Sequence, residues 1–198
     1  MVKAVFFDFG GVIAEEGFRD GMRAIAISGG IEPEGFFRLA DDLIYETGYV
    51  VGKNTEENFW SALKERSGIR LDNSTLREEI LKRFTIRGEM LKIVSELRAK
   101  GIKVYILSDQ TNWLDELDKK DGFYKAFDGI FNSYHMGKGK RDPSVFKDIC
   151  SGLGIEPKEA IFVDDNLKNI ERARNMGLMT IHFRSISQLR LALKSHIR

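Results

Sequence analysis

The sequence predicts an α/β fold in which helices cover both faces of a parallel sheet. Five short runs rich in β-branched and aromatic residues have the composition of strands. Helical patterns separate the later runs, and this alternation of strand and helix is typical of parallel sheets. A long segment between the first two runs contains only helical patterns, which indicates an insertion into the sheet-forming unit.

The five strand-like runs are bounded by charged residues or by glycine. They lie at residues 2–7 (VKAVFF), 102–107 (IKVYIL), 129–132 (GIFN), 160–163 (AIFV) and 178–183 (LMTIHF). We expect them to be the central strands of one sheet.

Helices are predicted between the later strands, at residues 89–100, 143–153 and 167–176. Gly101 follows the first of these helices and Gly177 follows the last, in the position where glycine commonly ends a helix. The regular alternation predicts a Rossmann-like, doubly wound sheet.

The segment from 14 to 87 breaks this alternation. Its apolar residues recur at helical spacing over 19–27, 33–45, 55–66 and 74–84, and we expect Asn54 and Asn73 to cap the last two of these helices. We therefore predict a helical cap domain at 14–87 and a Rossmann-like core made of 1–13 and 88–198. An insert at this place lies above the carboxyl ends of the strands, where open α/β sheets bind ligands.

Composition narrows the function. The chain has 198 residues, 42% of them hydrophobic, which is enough for a folded core and argues against disorder. Its 31 basic and 30 acidic residues are mixed along the chain, so no basic stripe indicates nucleic acid and a small-molecule partner is expected. One cysteine, Cys150, leaves no disulfide framework. With no signal-like or membrane-length apolar run, we expect a cytoplasmic protein without a membrane partner.

Polar residues follow the predicted strands at the edge where parallel strands converge. They are Asp8, Ser108, Asp109, Lys140, Asp164 and Asp165. Carboxylates at neighbouring strand ends repel one another unless a cation holds them, and hard oxygen ligands suit Mg²⁺, which binds substrate phosphate. A lysine, a hydroxyl and backbone amides beside that ion form a phosphate cradle. Lys138 competes with Lys140 for the lysine position, since both lie in GKGKR.

Four segments together resemble a known family. FFDFGGV, ILSDQT, GKGKRDP and FVDDNLKNIERARNMG are similar, in order and position, to the four motifs of the haloacid dehalogenase-like (HAD) hydrolases. The helical insert resembles their α-helical C1-type cap, and the FGGV form resembles a subgroup that includes sugar 1-phosphate phosphatases. The resemblance implies that Asp8 is the nucleophile, that Ser108 and the Asp109 amide hold the transferring group, and that Lys140 neutralises charge on the nucleophile and the phosphate.

The same resemblance implies a magnesium site. Asp164 and Asp165 serve the ion together with Asp8, and Gly10 offers its carbonyl oxygen, as the equivalent residue does in the family. Asn169 matches a position that often carries a further polar or acidic residue.

One residue departs from the family pattern. HAD phosphatases commonly have Asp-x-Asp in the first motif, and the second aspartate is an acid and a base, whereas this chain has Gly10. General acid catalysis is worth about 10²–10⁴-fold, so we expect a preference for aryl, acyl or anomeric sugar phosphates, or a substitute acid, with Glu15 and Glu16 as the first candidates. Gly10 is also expected to let the backbone turn sharply beside Mg²⁺.

These residues predict a Mg²⁺-dependent phosphatase that hydrolyses a small phosphorylated metabolite through an aspartyl-phosphate. A 2-haloacid dehalogenase is the first alternative, because a halide leaves without a proton. The paired acids Asp164 and Asp165 oppose this alternative, since a dehalogenase forms its aspartyl ester without a metal. A phosphate-binding or regulatory protein that has lost turnover is the second alternative.

Overall fold

A five-stranded parallel sheet forms the centre of the computed structural model, which describes residues 1–197. The strands are β1 (Ala4–Phe7), β2 (Lys103–Ser108), β3 (Gly129–Asn132), β4 (Ala160–Asp164) and β5 (Met179–His182). Their order is β3-β2-β1-β4-β5, and every neighbouring pair is parallel. This arrangement confirms the predicted Rossmann-like sheet, and it brings the carboxyl ends of all five strands to one edge.

Four α-helices lie in residues 14–87, the segment that follows β1 in the chain. They are α1 (Gly17–Ser28), α2 (Pro33–Glu46), α3 (Glu56–Ser67) and α4 (Asn73–Leu81), with a 3-10 turn at Tyr49–Val51. We call residues 14–87 the helical insert. The four predicted helices are present, each within about three residues of its expected bounds.

The predicted caps of α3 and α4 are wrong by one residue each. Thr55 and Asp72 are the N-caps, because their backbones are extended and their side chains accept hydrogen bonds from the third amide of each helix. Asn54 instead accepts a hydrogen bond from the amide of Thr55, and Asn73 is the first residue of α4.

The remaining helices cover both faces of the sheet. They are α5 (Gly88–Ala99), α6 (Trp113–Asp121), α7 (Ser133–Met136), α8 (Ser144–Gly152), α9 (Leu167–Asn175) and α10 (Ile186–His196). Alternate strand residues point to opposite faces, so Val5 and Phe7 pack with α5, α6 and α10, whereas Phe6 packs with α8 and α9. The two apolar layers hold the strand ends in fixed positions.

The chain enters and leaves the helical insert at one place. Ala14 and Ile86 form an antiparallel bridge, and the Arg87 guanidinium donates hydrogen bonds to the Glu15 carboxylate and to the Gly11 carbonyl. The predicted boundaries at 13/14 and 87/88 fall in these two bridged segments, where the chain enters and leaves the insert. The division into a core and a cap domain stays a prediction.

Two expectations from composition concern Cys150 and membranes. Cys150 is buried in α8, and burial raises the pKa of its thiol to about 11, which suits a packing residue rather than a nucleophile. No helix within residues 1–197 combines the length and the apolar composition needed to span a bilayer.

Candidate active site

Asp8 lies directly after β1, in the centre of the carboxyl edge. Its Oδ1 atom accepts hydrogen bonds from Ser108 Oγ at 2.6 Å and from the Phe9 amide at 2.7 Å. Its Oδ2 atom lies 2.8 Å from Lys140 Nζ. Burial raises the pKa of Asp8 to about 6, although the charge of Lys140 opposes this rise. The carboxyl group is therefore held in one orientation with both oxygens in contact with polar groups.

Lys140 is completely buried and joins two carboxylates. Its ammonium group lies 2.8 Å from Asp8 Oδ2 and 2.8 Å from Asp164 Oδ2, and its backbone amide donates to Asp109 Oδ1 at 2.8 Å. Burial alone would lower the pKa of Lys140, but the charges of Asp164 and Asp8 raise this pKa well above its ordinary value. The buried lysine is thus a fixed positive charge beside the Asp8 carboxylate.

Lys138, the alternative in the same loop, points away from this cluster. Its ammonium group lies 2.5 Å from Asp148 and 3.6 Å from Asp142, and both carboxylates are exposed. The structure therefore brings Lys140, and not Lys138, to the strand ends.

The fourth strand supplies two more carboxylates. Asp164 is fully buried, and its side chain accepts hydrogen bonds from the Asn166 amide at 2.7 Å and from Asn169 Nδ2 at 3.1 Å. Asp165 is half-buried, and burial together with the nearby charge of Asp8 raises the pKa of its carboxyl group. Asn169 thus orients Asp164, while Asp165 offers a carboxylate oxygen within 4.8 Å of one from Asp8.

Asp8, Asp164 and Asp165 form a group that fits a divalent cation. Each offers a carboxylate oxygen, and these three oxygens lie within 4.8 Å of one another. An all-oxygen set suits Mg²⁺, which is commonly held by one or two carboxylates together with substrate phosphate. Gly10, the fourth predicted ligand, lines the same cleft.

Gly11 rather than Gly10 is the glycine that the backbone turn requires. Gly11 has a φ of +76°, and a Cβ atom built on it would lie 2.3 Å from Asp165 Oδ2. Gly10 does not have a positive φ, so the expectation that it provides the sharp turn is wrong. The side chain of Asp165 occupies the space beside Gly11.

Replacing Gly11 by Ala is expected to lower both the free energy of unfolding and Mg²⁺ affinity. The left-handed backbone costs a non-glycine residue roughly 1–2 kcal/mol, and the new methyl group displaces the Asp165 carboxylate. Denaturant unfolding and Mg²⁺ calorimetry measure the two effects. Gly88→Ala is the control, because a Cβ there meets no heavy atom within 4 Å in the described residues. Equal Mg²⁺ affinity in the two variants would contradict the role given to Gly11.

A cleft of about 440 Å³ separates the strand ends from the helical insert. Phe18 and Arg19 of α1 and Phe37, Ile44 and Tyr45 of α2 line it on the side of the insert. Phe36, Phe59 and Trp60 are buried within the insert, whereas Phe37 lines the cleft. The cleft therefore combines an acidic floor with a mixed apolar and basic wall.

The second helix of the insert is tied to the sheet by polar contacts. Tyr45 donates a hydrogen bond of 2.5 Å to Asp109 Oδ2, and the Arg141 guanidinium lies 3.5 Å from the centre of the Tyr45 ring. Arg141 also pairs with Asp41 at 2.8 Å. No sequence pattern marks Tyr45, because its role depends on how α2 packs over the loop that carries Arg141.

The two acids at the entrance of the insert have different surroundings. Glu15 is exposed, and its hydrogen bonds to Arg87 lower the pKa of its carboxyl group. Glu16 is half-buried and lines the cleft with Asp8. Burial raises the pKa of Glu16 to about 7, against the effect of a hydrogen bond from the Arg19 amide. Of the two candidates for a substitute acid, the structure brings only Glu16 to the cleft.

Together, the doubly wound sheet and the acidic cluster at its carboxyl edge define the class of α/β proteins with a ligand site at the strand ends. The sequence model for haloacid dehalogenase-like hydrolases matches residues 2–177, and the chain belongs to this family.

Two curated relatives illustrate the range of the family. The chain is 33% identical over 104 residues to the rat (Rattus norvegicus) bifunctional epoxide hydrolase 2, a match that covers 49% of this chain and 18% of the rat protein. It is 26% identical over 204 residues to a glyceraldehyde 3-phosphate phosphatase from Methanopyrus kandleri, with 93% of this chain and 84% of that protein covered. The chain thus spans less than a fifth of the epoxide hydrolase but most of the phosphatase.

Solved structures share the fold. A HAD family enzyme from Bacteroides thetaiotaomicron, in complex with magnesium and inorganic phosphate, superposes with a TM-score of 0.73 at 24% identity, over 96% of this chain and 99% of that one. The L-2-haloacid dehalogenase from Xanthobacter autotrophicus, with chloropropionic acid covalently bound, superposes with a TM-score of 0.65 at 22% identity, over 100% and 84%. At these identities the similarity establishes the fold alone.

Proposed function

We propose that the chain is a Mg²⁺-dependent phosphatase that hydrolyses a small phosphorylated metabolite through an aspartyl-phosphate on Asp8. The observation that carries this proposal is the carboxylate of Asp165, which lies beside the two carboxylates that Lys140 contacts. Lys140 contacts Asp8 and Asp164, whereas Asp165 faces the same point without an ion pair in the described residues. Three acids around one lysine leave an excess of negative charge that suits a divalent cation.

The side chains at the strand ends have distinct roles in this reaction. Asp8 attacks phosphorus with one carboxylate oxygen, and Ser108 holds the carboxyl group through its hydrogen bond to Oδ1. Lys140 neutralises charge that develops on the transferring phosphoryl group, from a buried position beside Asp8. Asp109 fixes the Lys140 backbone, and its own amide is proposed to bind the phosphoryl oxygens.

Asp8, Asp164 and Asp165 are the side chains that would hold Mg²⁺, with the Gly10 carbonyl as a further ligand. When bound, the ion supplies charge neutralisation and a template for the substrate phosphate. Asp164 accepts hydrogen bonds from Lys140 and Asn169, and these bonds hold its carboxylate beside the other two acids.

The relatives support a phosphatase more than a dehalogenase. A curated relative is a glyceraldehyde 3-phosphate phosphatase, and a structural neighbour contains magnesium and inorganic phosphate. A 2-haloacid dehalogenase shares the fold and is the alternative function. However, a dehalogenase forms its aspartyl ester without a metal and has no use for Asp165 beside Asp8. A non-catalytic phosphate-binding protein is disfavoured because the nucleophile, the lysine and the three acids are all in place. The cleft of about 440 Å³ suits a small metabolite.

A screen of phosphorylated metabolites tests the proposal. Purified protein is assayed for phosphate release with Mg²⁺ and with chelator, and for halide release from 2-chloropropionate under the same conditions. We expect Mg²⁺-dependent phosphate release and no halide release. Halide release in the presence of chelator would instead establish the dehalogenase.

Asp165→Ala is expected to abolish the response to Mg²⁺ while the protein stays folded. Asp165 is half-buried and has no ion pair within residues 1–197, so its loss removes a proposed ligand and little packing. Calorimetric titration with Mg²⁺, phosphate release and denaturant unfolding measure the three properties. Asp148→Ala, which removes an exposed acid outside the cleft, is the matched control. Wild-type Mg²⁺ affinity in Asp165→Ala would refute the assignment of this ligand.

A further inference from the structure

Glu16 stands at the entrance of the helical insert, in the cleft that contains Asp8. It is the N-cap of α1, with an extended backbone, and its Oε1 atom accepts a hydrogen bond of 3.1 Å from the Arg19 amide. This bond holds the carboxyl group in one place. The second oxygen, Oε2, faces Gly10.

The Glu16 carboxyl group fills the space that a side chain at position 10 would enter. A Cβ atom built on Gly10 would lie 3.1 Å from Glu16 Oε2. Position 10 is two residues beyond Asp8 on the same loop. A carboxyl group is therefore present beside this loop, although the loop itself carries glycine at that position.

Within residues 1–197, Glu16 and Asp165 form no ion pair, whereas two other acids near the cleft each have one. Asp41 pairs with Arg141, and Glu15 pairs with Arg87 outside the cleft. Within the described part of the chain, Glu16 forms no ion pair and its Oε2 accepts no hydrogen bond. This oxygen is free to exchange a proton with a bound molecule.

We propose that Glu16 is the catalytic residue that transfers the proton in both chemical steps, an inference that rests on the proposed phosphatase function. In the first step Asp8 bonds to phosphorus, the bond from phosphorus to the leaving oxygen breaks, and the Glu16 carboxyl group gives its proton to that oxygen. In the second step Glu16 takes a proton from water as the water oxygen bonds to phosphorus and the bond to Asp8 breaks. Inorganic phosphate leaves, and Glu16 is protonated again.

This assignment changes the substrate class expected from Gly10. An alkoxide leaves readily only when it receives a proton in the transition state, whereas an aryl oxide carries its charge away unaided. With Glu16 as the donor, the chain accepts simple alkyl phosphates as well as activated ones. The expected preference for aryl, acyl or anomeric phosphates then applies to a protein that lacks the Glu16 acid.

Glu16→Gln tests the role, because the Gln side chain keeps an oxygen that can cap α1 but cannot give or take the proton. The value of kcat/KM is measured for a series from p-nitrophenyl and phenyl phosphate to ethyl and glycerol phosphate. We expect Glu16→Gln to lower kcat/KM about 10²–10⁴-fold for the alkyl phosphates and far less for p-nitrophenyl phosphate. Glu15→Gln is the control, and its ratio of alkyl to aryl turnover stays that of the natural protein.

A second readout follows the covalent intermediate. Glu16→Gln still forms aspartyl-phosphate from p-nitrophenyl phosphate but hydrolyses it slowly, so a burst of nitrophenol and an acid-stable phosphorylated protein are expected. Gly10→Asp combined with Glu16→Ser provides a rescue. The serine can cap α1 and clears the space beside position 10, and the new aspartate is expected to restore part of the alkyl phosphate turnover.

The outcomes separate the two proposals. Equal loss for every leaving group, or no loss, in Glu16→Gln overturns the role of Glu16 and leaves the phosphatase standing. A large shift in the Mg²⁺ concentration that gives half-maximal rate assigns Glu16 to the metal and also overturns its role in proton transfer. Absence of phosphate release from the natural protein with every leaving group overturns the phosphatase and Glu16's role with it.

Discussion

Replacing Asp8 by Asn is expected to lower phosphate release by about 10⁴-fold or more, the scale on which loss of a nucleophile acts in other covalent enzymes. An amide is a poor nucleophile, and the substitution also removes one of three carboxylates that face the proposed metal. The measurement is the single-turnover release of phosphate with saturating Mg²⁺. The natural protein, quenched in acid, is expected to carry a hydroxylamine-sensitive phosphoryl group that Asp8→Asn lacks.

The effect of Asp8→Asn must be separated from loss of structure. Asp8 accepts hydrogen bonds from Ser108 and the Phe9 amide, and the Asn oxygen can accept at least one of these bonds. We therefore expect the variant to fold, because Lys140 keeps its ion pair with Asp164, but with a lower unfolding midpoint, because its ion pair with Asp8 is lost. Substantial turnover in folded Asp8→Asn would disprove the covalent mechanism.

Most of the sheet could be predicted because its strands carry a local signal. Each strand is a short β-branched or aromatic run, and the predicted runs agree with the observed strands to within one or two residues at each end. The polar residues at the strand ends were predictable for the same reason, since parallel strands place their carboxyl ends on one edge. By contrast, no helix is predicted at α6, α7 or α10, although α6 and α10 each bury apolar residues on one face.

The parts of the site that depend on packing could not be read from the sequence. Tyr45 reaches Asp109 across 64 residues of chain, and no periodicity encodes the position of α2 over the strand ends. The choice between Gly10 and Gly11 for the sharp turn depends on one backbone angle, and neighbouring glycines carry the same local signal. The choice between Glu15 and Glu16 depends on which of the two carboxyl groups points into the cleft, and the bridge between Ala14 and Ile86 sets this orientation.

The structure also distinguishes the two lysines that compete for the catalytic position. Lys138 and Lys140 lie in the same glycine-rich loop, whose composition leaves both open, whereas the family resemblance favours Lys140. The amide of Lys140 is fixed by Asp109, and its side chain passes beside the Phe162 ring into the acidic cluster. Lys138 stays with Asp148 at the surface. The two lysines therefore form a matched pair for mutation.

Lys140→Ala is expected to lower turnover by at least about 10²-fold, the loss typical of removing one group that stabilises charge in the transition state. Lys138→Ala is expected to leave turnover close to that of the natural protein, because it removes only two surface ion pairs. Phosphate release per folded molecule is the measurement for both variants. Equal losses in the two variants would show that Lys140 is not the catalytic lysine.

Lys140→Ala is also expected to destabilise the protein in a way that depends on Mg²⁺. The substitution leaves Asp8 and the fully buried Asp164 without their shared cation, and removing one partner of a buried ion pair costs about 3–5 kcal/mol. In chelator, denaturant unfolding is expected to show most of this loss. In saturating Mg²⁺ the loss is expected to shrink, because an ion that binds only the folded state stabilises it and replaces part of the missing positive charge. A loss of the same size with and without Mg²⁺ would show that the ion does not share the carboxylates of Lys140.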